Sequence, residues 1–222
     1  MPIKHLLLVA GGQPTSLKNL LINRYAHIPM EQWLFVGIDG GCLHLLNEEL
    51  PLDLAIGDFD SLTTEQYQRV KTKAVTVQQF PSKKDNTDTE EALLWCMQHY
   101  PEAMYHVVGA FGGRIDHEWS NLWLFFQPRF SSIRHQLHLE NETNSFTCLE
   151  PGQYTIEKMQ HTHYLSFISL TAVENLTLTN VEYPLKNAHY EYPIALISNE
   201  FLEEKMTISF TKGLIVVGQC CD

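Results

Sequence analysis

Positive charge is scarce in this chain. Its 222 residues hold 15 Lys and Arg against 26 Asp and Glu, a formal net charge of −11. That balance argues against sequence-independent nucleic-acid binding, which neutralises phosphates with Lys and Arg. It leaves room for a small polyphosphate, because metal ions and a few local cations offset the repulsion. Long hydrophobic runs are missing too. No stretch approaches the ~20 apolar residues of a membrane helix, so no membrane partner is expected. The N-terminal apolar run is short and ends at Gly11-Gly12. Without a longer core and a small-residue cleavage site, it reads as a first strand. The five cysteines, Cys42, Cys96, Cys148, Cys220 and Cys221, show no metal-ligand spacing. An odd count with two adjacent members suits a reduced, cytoplasmic protein. Internal repeats and low-complexity tracts are absent.

What is present describes an ordinary globular chain. Hydrophobic residues make up 44% and charged residues 18%, enough for a sizeable core. The length fits one large domain or two small ones. In the first half, strand candidates at 3–10, 33–38, 52–56, 74–78 and 105–109 alternate with helix candidates at 16–25, 41–49, 64–71, 89–100 and 116–126. That order predicts a parallel sheet with helices on its faces. Beyond Pro128 the period changes to two, at 153–157, 164–170, 176–179, 206–210 and 214–217. Pro151-Gly152 and Lys212-Gly213 mark turns between them. The expectation is α/β plus all-β. A Rossmann-like parallel sheet with flanking helices occupies residues 1–130, and an antiparallel β-sandwich occupies 131–222.

Every notable motif of the first half follows a predicted strand. Gly57-Asp58-Phe59-Asp60-Ser61 is the most informative. Two carboxylates at a strand end repel each other and attract a cation. Hard oxygen ligands suit Mg²⁺, which arrives with phosphates. In open α/β sheets ligands bind beyond the carboxyl ends of the strands. The alternative is a structural acidic turn, or caps for the next helix. Ala10-Gly11-Gly12, Gly37-Ile38-Asp39-Gly40-Gly41, residues 81–88 and Gly109–Asp116-His117 join the pair on the same predicted rim. The glycines are either turns needing positive φ or points where backbone N–H groups approach phosphate. Thr87 with Glu90, or Asp88 with Glu91, fits a helix capping box. Asp85 is free of that duty and reads as the better metal ligand. Lys83-Lys84 is a solvated pair or a phosphate contact. Gly109–Arg114 lacks the Lys-Ser/Thr ending of a Walker loop, but Arg114 supplies a fork that fits phosphate oxygens. His161 and His163 read as solvated residues on one face of a strand. Trp119, Trp123, Phe125 and Phe126 read as helix packing.

Taken in order along the chain, these pieces resemble thiamine pyrophosphokinase. They are Asp39-Gly40-Gly41, Ile56 to Ser61, Lys84-Asp85-Asn86-Thr87-Asp88-Thr89-Glu90, Gly109 to His117 with Asn121, Tyr183-Pro184-Leu185 and Ile197-Ser198-Asn199-Glu200. The resemblance implies transfer of a pyrophosphoryl group from ATP to thiamine by a homodimer that binds thiamine between subunits. It implies Mg²⁺ on Asp58, Asp60 and Asp85, with Asp39 and Asp88 close by. The implied catalytic set is Asp58, Asp60, Asp85, Asp88 and Arg114. ATP falls to Gly12, Asp39, Gly40, Gly41, Thr87, Gly112, Gly113, Arg114, Asp116 and His117. Thiamine falls to Gln79, Asn121, Ser198 and Asn199. Eukaryotic members resembling this chain stack a C-terminal Trp on thiamine. Here all four Trp precede Pro128 and the tail 212–216 is aliphatic. Phe80 and Tyr183 are either substitutes for that Trp or, the preferred reading, core packing. Rival readings are a Mg²⁺-dependent nucleotide hydrolase or nucleotidyltransferase, and a non-catalytic nucleotide-binding regulator.

Overall fold

The computed structural model describes residues 2–12, 15–83 and 85–222. The chain divides into two compact units, Met1–Leu124 with Leu139–Glu142, and Phe125–His138 with Thr143–Asp222.

The first unit alternates strands and helices. In order they are β1 (His5–Val9), α1 (Leu17–Tyr25), β2 (Trp33–Ile38), α2 (Gly41–Asn47), β3 (Leu54–Gly57), α3 (Thr64–Lys73), β4 (Thr76–Gln79), α4 (Asp88–His99), β5 (Met104–Val108) and α5 (Ile115–Trp123). The strands lie in the order β5-β1-β2-β3-β4 and pair in parallel. Leu7 of β1 faces Phe35 on one side and His106 on the other. Sequence order reverses at β1, so the loops after β1 and β5 part there and open a crevice. The central strands are buried along nearly their whole length, which explains their continuous apolar runs. Leu7, Val9, Phe35 and Ala55 pack with Leu17, Leu20, Leu45 and Val70 in one core. Helix starts follow from local chemistry. Ser16 accepts from the Asn19 amide at α1, and Thr63 with Gln66 forms a capping box at α3.

A buried polar group closes the rim at the amino ends of the strands. β6 (Leu137–Glu140) lies beside β5, and its last residue carries a fully buried carboxylate. Glu140 accepts from Arg24 at 2.9 Å, Tyr25 at 2.7 Å and His106 at 2.9 Å. His5 meets the other nitrogen of His106 at 3.2 Å. Burial, with His106 next in weight, lowers the His5 pKa from 6.5 to about 4.

The second unit is all antiparallel strand after a 3₁₀ segment, Pro128–Gln136. Its strands are β7 (Asn144–Leu149), β8 (Gly152–Glu157), β9 (Tyr164–Ser169), β10 (Val173–Thr179), β11 (Leu185–Tyr190), β12 (Ile194–Glu200), β13 (Lys205–Phe210) and β14 (Ile215–Cys220). They form two layers, β12-β9-β14-β7 and β11-β10-β13-β8. Phe167 and Val217 of one layer pack on Leu176, Leu178 and Ile208 of the other, the interior of a β-sandwich. The expected α/β-plus-sandwich class therefore describes the chain. β6, β7, β11 and β12 were not among the expected strands.

Among the described residues no helix is long and apolar enough to cross a membrane. All five cysteines are free. Burial pushes the thiols of Cys42, Cys96 and Cys148 up to about 12, so these three are inert at neutral pH.

Candidate active site

The loops after β1, β2 and β5 and the start of α4 enclose a cleft of about 580 Å³. Gly12, Asp39, Gly40, Thr87, Asp88, Gly113, Arg114, His117 and Asn121 line it, as do the unexpected Ser61 and Glu118. Two glycines let the turns close on the strands. A Cβ at Gly41 would sit 1.8 Å from the Val9 carbonyl oxygen, and one at Gly12 would sit 2.1 Å from that of Gly109. Close approach explains both. Positive φ does not hold for the Asp39-Gly40 turn as expected: Gly40 is α-helical at φ −56°, and Asp39 takes the left-handed position at φ 46°.

One wall is acidic. Ser61 Oγ donates to Asp39 Oδ2 at 2.6 Å, while Asp39 Oδ1 is buried without a hydrogen-bond partner. Asp58 Oδ1 accepts from the Asp60 amide at 3.0 Å. The Asp60 carboxyl is held above its usual range, first by the charge of Asp58, then by desolvation, with Asp39 and Asp88 adding repulsion. Four carboxylates thus share one field. The first residue of α4 is Asp88, and the capping box is Thr87 with Glu90. That choice leaves Asp88 to the cleft. Neither Asp58 nor Asp60 caps α3, whose cap is Thr63. Asp85 is exposed before α4. Lys84 lies outside the described residues; Lys83 is exposed. Among the described residues no three His, Cys, Asp or Glu side chains stand close enough together to grip a metal ion. The donor chemistry nonetheless fits Mg²⁺: hard oxygens, mutual repulsion at Asp60, and an orphaned oxygen on Asp39.

The other wall is a loop of amide donors. Gly112 N–H and Gly113 N–H both donate to Glu118 Oε1, at 2.8 and 2.9 Å. Arg114 pairs with Asp116 through two hydrogen bonds of 3.1 and 2.6 Å. The pairing raises the guanidinium pKa and lowers that of the carboxyl. Asn121 is buried and donates to the Ala110 carbonyl at 3.0 Å, fixing the loop from α5. Gln79 accepts from Tyr67 at 2.9 Å and donates to the Asp58 carbonyl at 3.3 Å, so it braces the acidic turn.

Asp39 and Asp88 face a glycine-arginine loop across a switch-point cleft, and comparison with known proteins names the family. Residues 25–137 match the thiamin pyrophosphokinase catalytic domain, and residues 153–215 match the thiamin pyrophosphokinase vitamin B1 binding domain. The chain belongs to the thiamine pyrophosphokinase family. The thiamine pyrophosphokinase of Bacillus subtilis (strain 168) is 33% identical over 222 residues, covering 99% of this chain and all of that protein. A thiamin pyrophosphokinase family protein from Enterococcus faecalis superposes with a TM-score of 0.90 at 44% identity, covering 99% of this chain and all of that one. The Candida albicans thiamin pyrophosphokinase shares the fold, with a TM-score of 0.79 at 15% identity over 99% and 90% of the two chains.

The vitamin B1 binding match contains the two second-unit candidates. Ser198 is exposed with a left-handed φ of 57°, where β12 slips register between Leu196 and Asn199. Asn199 is buried, and its amide brackets the Tyr183 backbone, accepting from N–H and donating to C=O at 3.0 Å each. The Asn199 side chain therefore fixes a turn. Leu178, Tyr183, Leu185, Leu196, Ile197 and Asn199 line a second hollow of about 210 Å³. Tyr183 is 64% exposed, so it is not core packing as expected. Trp119 and Trp123 are also exposed, at 53% and 42%, and pair with each other; of the four aromatics there, Phe125 is fully buried and Phe126 half-buried. His161 and His163 precede β9 instead of lying on it, His161 in a turn at φ 66°.

Proposed function

We propose that this chain moves a pyrophosphoryl group from ATP to the hydroxyl of thiamine, giving thiamine diphosphate and AMP. The observation that carries the reading is the cleft at the β1/β5 switch point, with Asp39 and Asp88 on one side and amide and guanidinium donors on the other. Residues 1–130 are the catalytic, ATP-binding domain. Residues 131–222 bind thiamine and form the homodimer.

ATP lies along Gly12, Gly40, Gly41, Thr87, Gly112 and Gly113, whose small or backbone groups admit phosphate oxygens, with Asp39, Arg114, Asp116 and His117 around it. Asp58, Asp60 and Asp85 hold Mg²⁺, and Asp39 and Asp88 complete the acidic surround. When bound, the ion neutralises phosphate charge and stabilises AMP as it leaves. Arg114 leaves Asp116 for a phosphate in the same bidentate geometry. Gln79, Asn121, Ser198 and Asn199 position thiamine, Asn199 through the Tyr183 turn. The thiamine oxygen attacks the β-phosphorus, the bond from that phosphorus to the α-phosphate bridge breaks, and an aspartate of the cluster takes the hydroxyl proton. Positioning and electrostatics supply most of such a rate enhancement. Free thiols suit a cytoplasmic location.

The rival hydrolase reading shares the acidic wall, and dependence on thiamine separates the two. AMP release from ATP and Mg²⁺ requires thiamine under our reading. AMP formed equally fast without thiamine identifies a hydrolase, and ADP with thiamine monophosphate identifies a one-phosphate kinase.

A further inference from the structure

Glu118 has no part in the roles assigned above, yet its carboxylate lines the cleft on a pair of backbone amides. Its Oε1 receives the amide N–H groups of both Gly112 and Gly113, at 2.8 and 2.9 Å. Successive amides aimed at one oxygen form the concavity in which backbones hold anions. Gly113 adds a second observation. A Cβ there would meet nothing within 4 Å, and its φ is not in the left-handed range, so neither packing nor conformation calls for glycine. Gly113 itself lines the cleft. The next residue repeats the pattern, because Arg114 is held by Asp116. Each donor of this loop thus faces a carboxylate from the first turn of α5.

We propose that Glu118 is an internal stand-in for a phosphate oxygen of ATP. Its carboxylate keeps the Gly112-Gly113 amides aligned while the cleft is free of nucleotide, and gives them up when the triphosphate enters. Two anions cannot share this amide pair, because a carboxylate and a phosphate in contact repel each other. Glu118 therefore sets nucleotide affinity by competition and acts on the phosphates, leaving adenosine unaffected. The proposal rests on the nucleotide-binding reading of the cleft.

The test is calorimetric titration of the whole protein with Mg²⁺-ATP and with adenosine, comparing wild type with Glu118→Gln. The amide neighbours a charged acceptor in one and a neutral one in the other, so ATP binds about three- to tenfold tighter to the variant. Adenosine affinity stays the same. The ATP difference persists at about 0.5 M salt, where effects acting through solvent are screened. In wild-type protein, ATP shifts the Gly112 and Gly113 amide resonances. Unchanged or weaker ATP binding by Glu118→Gln overturns the proposal. So does an equal change for adenosine, which marks a general effect on loop shape, or a difference that vanishes at high salt. Wild-type protein that binds no ATP refutes the nucleotide reading itself and the proposal with it.

Discussion

Asp39 concentrates the chemistry of the site in one residue. Its left-handed backbone (φ 46°) costs of the order of 1–3 kcal/mol for a non-glycine residue. Ser61 takes one carboxylate oxygen and leaves the other buried without a partner. A cation nearby relieves both that oxygen and the crowding that raises Asp60. Asp58 is the main source of that crowding, and its replacement gives the sharpest test of the acidic wall. Asp58→Asn keeps the fold and lowers turnover roughly 100-fold or more; unchanged turnover would remove Asp58 from the mechanism. The spacing of Asp58 and Asp60 alone reads equally well as a structural turn; four other strand-end motifs on the same rim single the pair out. Glu118 was invisible. It sits among exposed helix residues, and only folding of the loop brings its oxygen to the two glycine amides.

At the scale of elements, helix α4 joins stability to the site. The Thr87-Glu90 box satisfies amides of its first turn and leaves Asp88 facing the cleft. Thr87→Ala lowers unfolding free energy by about 1 kcal/mol, read as a shift in the urea midpoint; no shift would mean that the box is dispensable. The opposite rim carries a pH dependence. As pH falls from 6.5 towards 4, the unfolded chain protonates His5 while the folded chain, with burial holding that ring at about 4, does not. Stability therefore drops across that window. His106 and Trp33 pack on the ring, and the charges of His106, His27 and Lys4 set the background. His5→Asn flattens the fall in urea midpoint between pH 6.5 and 4; an unchanged slope would contradict this origin. Elements were legible where periodicity was clean. β1, β2, β3 and β5 are largely apolar runs ended by turns. β11 buries none of its side chains fully, and β12 shifts register beside the left-handed Ser198. Neither keeps the alternation that identifies a strand. The exposed Tyr183, Trp119 and Trp123 misled for a related reason: apolar bulk predicts burial, and it does so equally for surfaces that meet a partner.

The whole molecule combines an α/β unit holding the cleft with a β-sandwich unit matching the vitamin B1 binding domain. With a net charge of −11, our reading leaves phosphate binding to local donors, the role it gives the glycine-arginine loop. The homodimer in our reading predicts twice the 25.5 kDa chain mass by light scattering; a monomer at assay concentration would contradict a thiamine site shared between copies. The central claim concerns which bond breaks. ATP labelled at the β-phosphorus, incubated with Mg²⁺ and thiamine, tests it directly. The account predicts label in thiamine diphosphate and an equal amount of unlabelled AMP. Label recovered in ADP, or as free pyrophosphate with thiamine untouched, would contradict it.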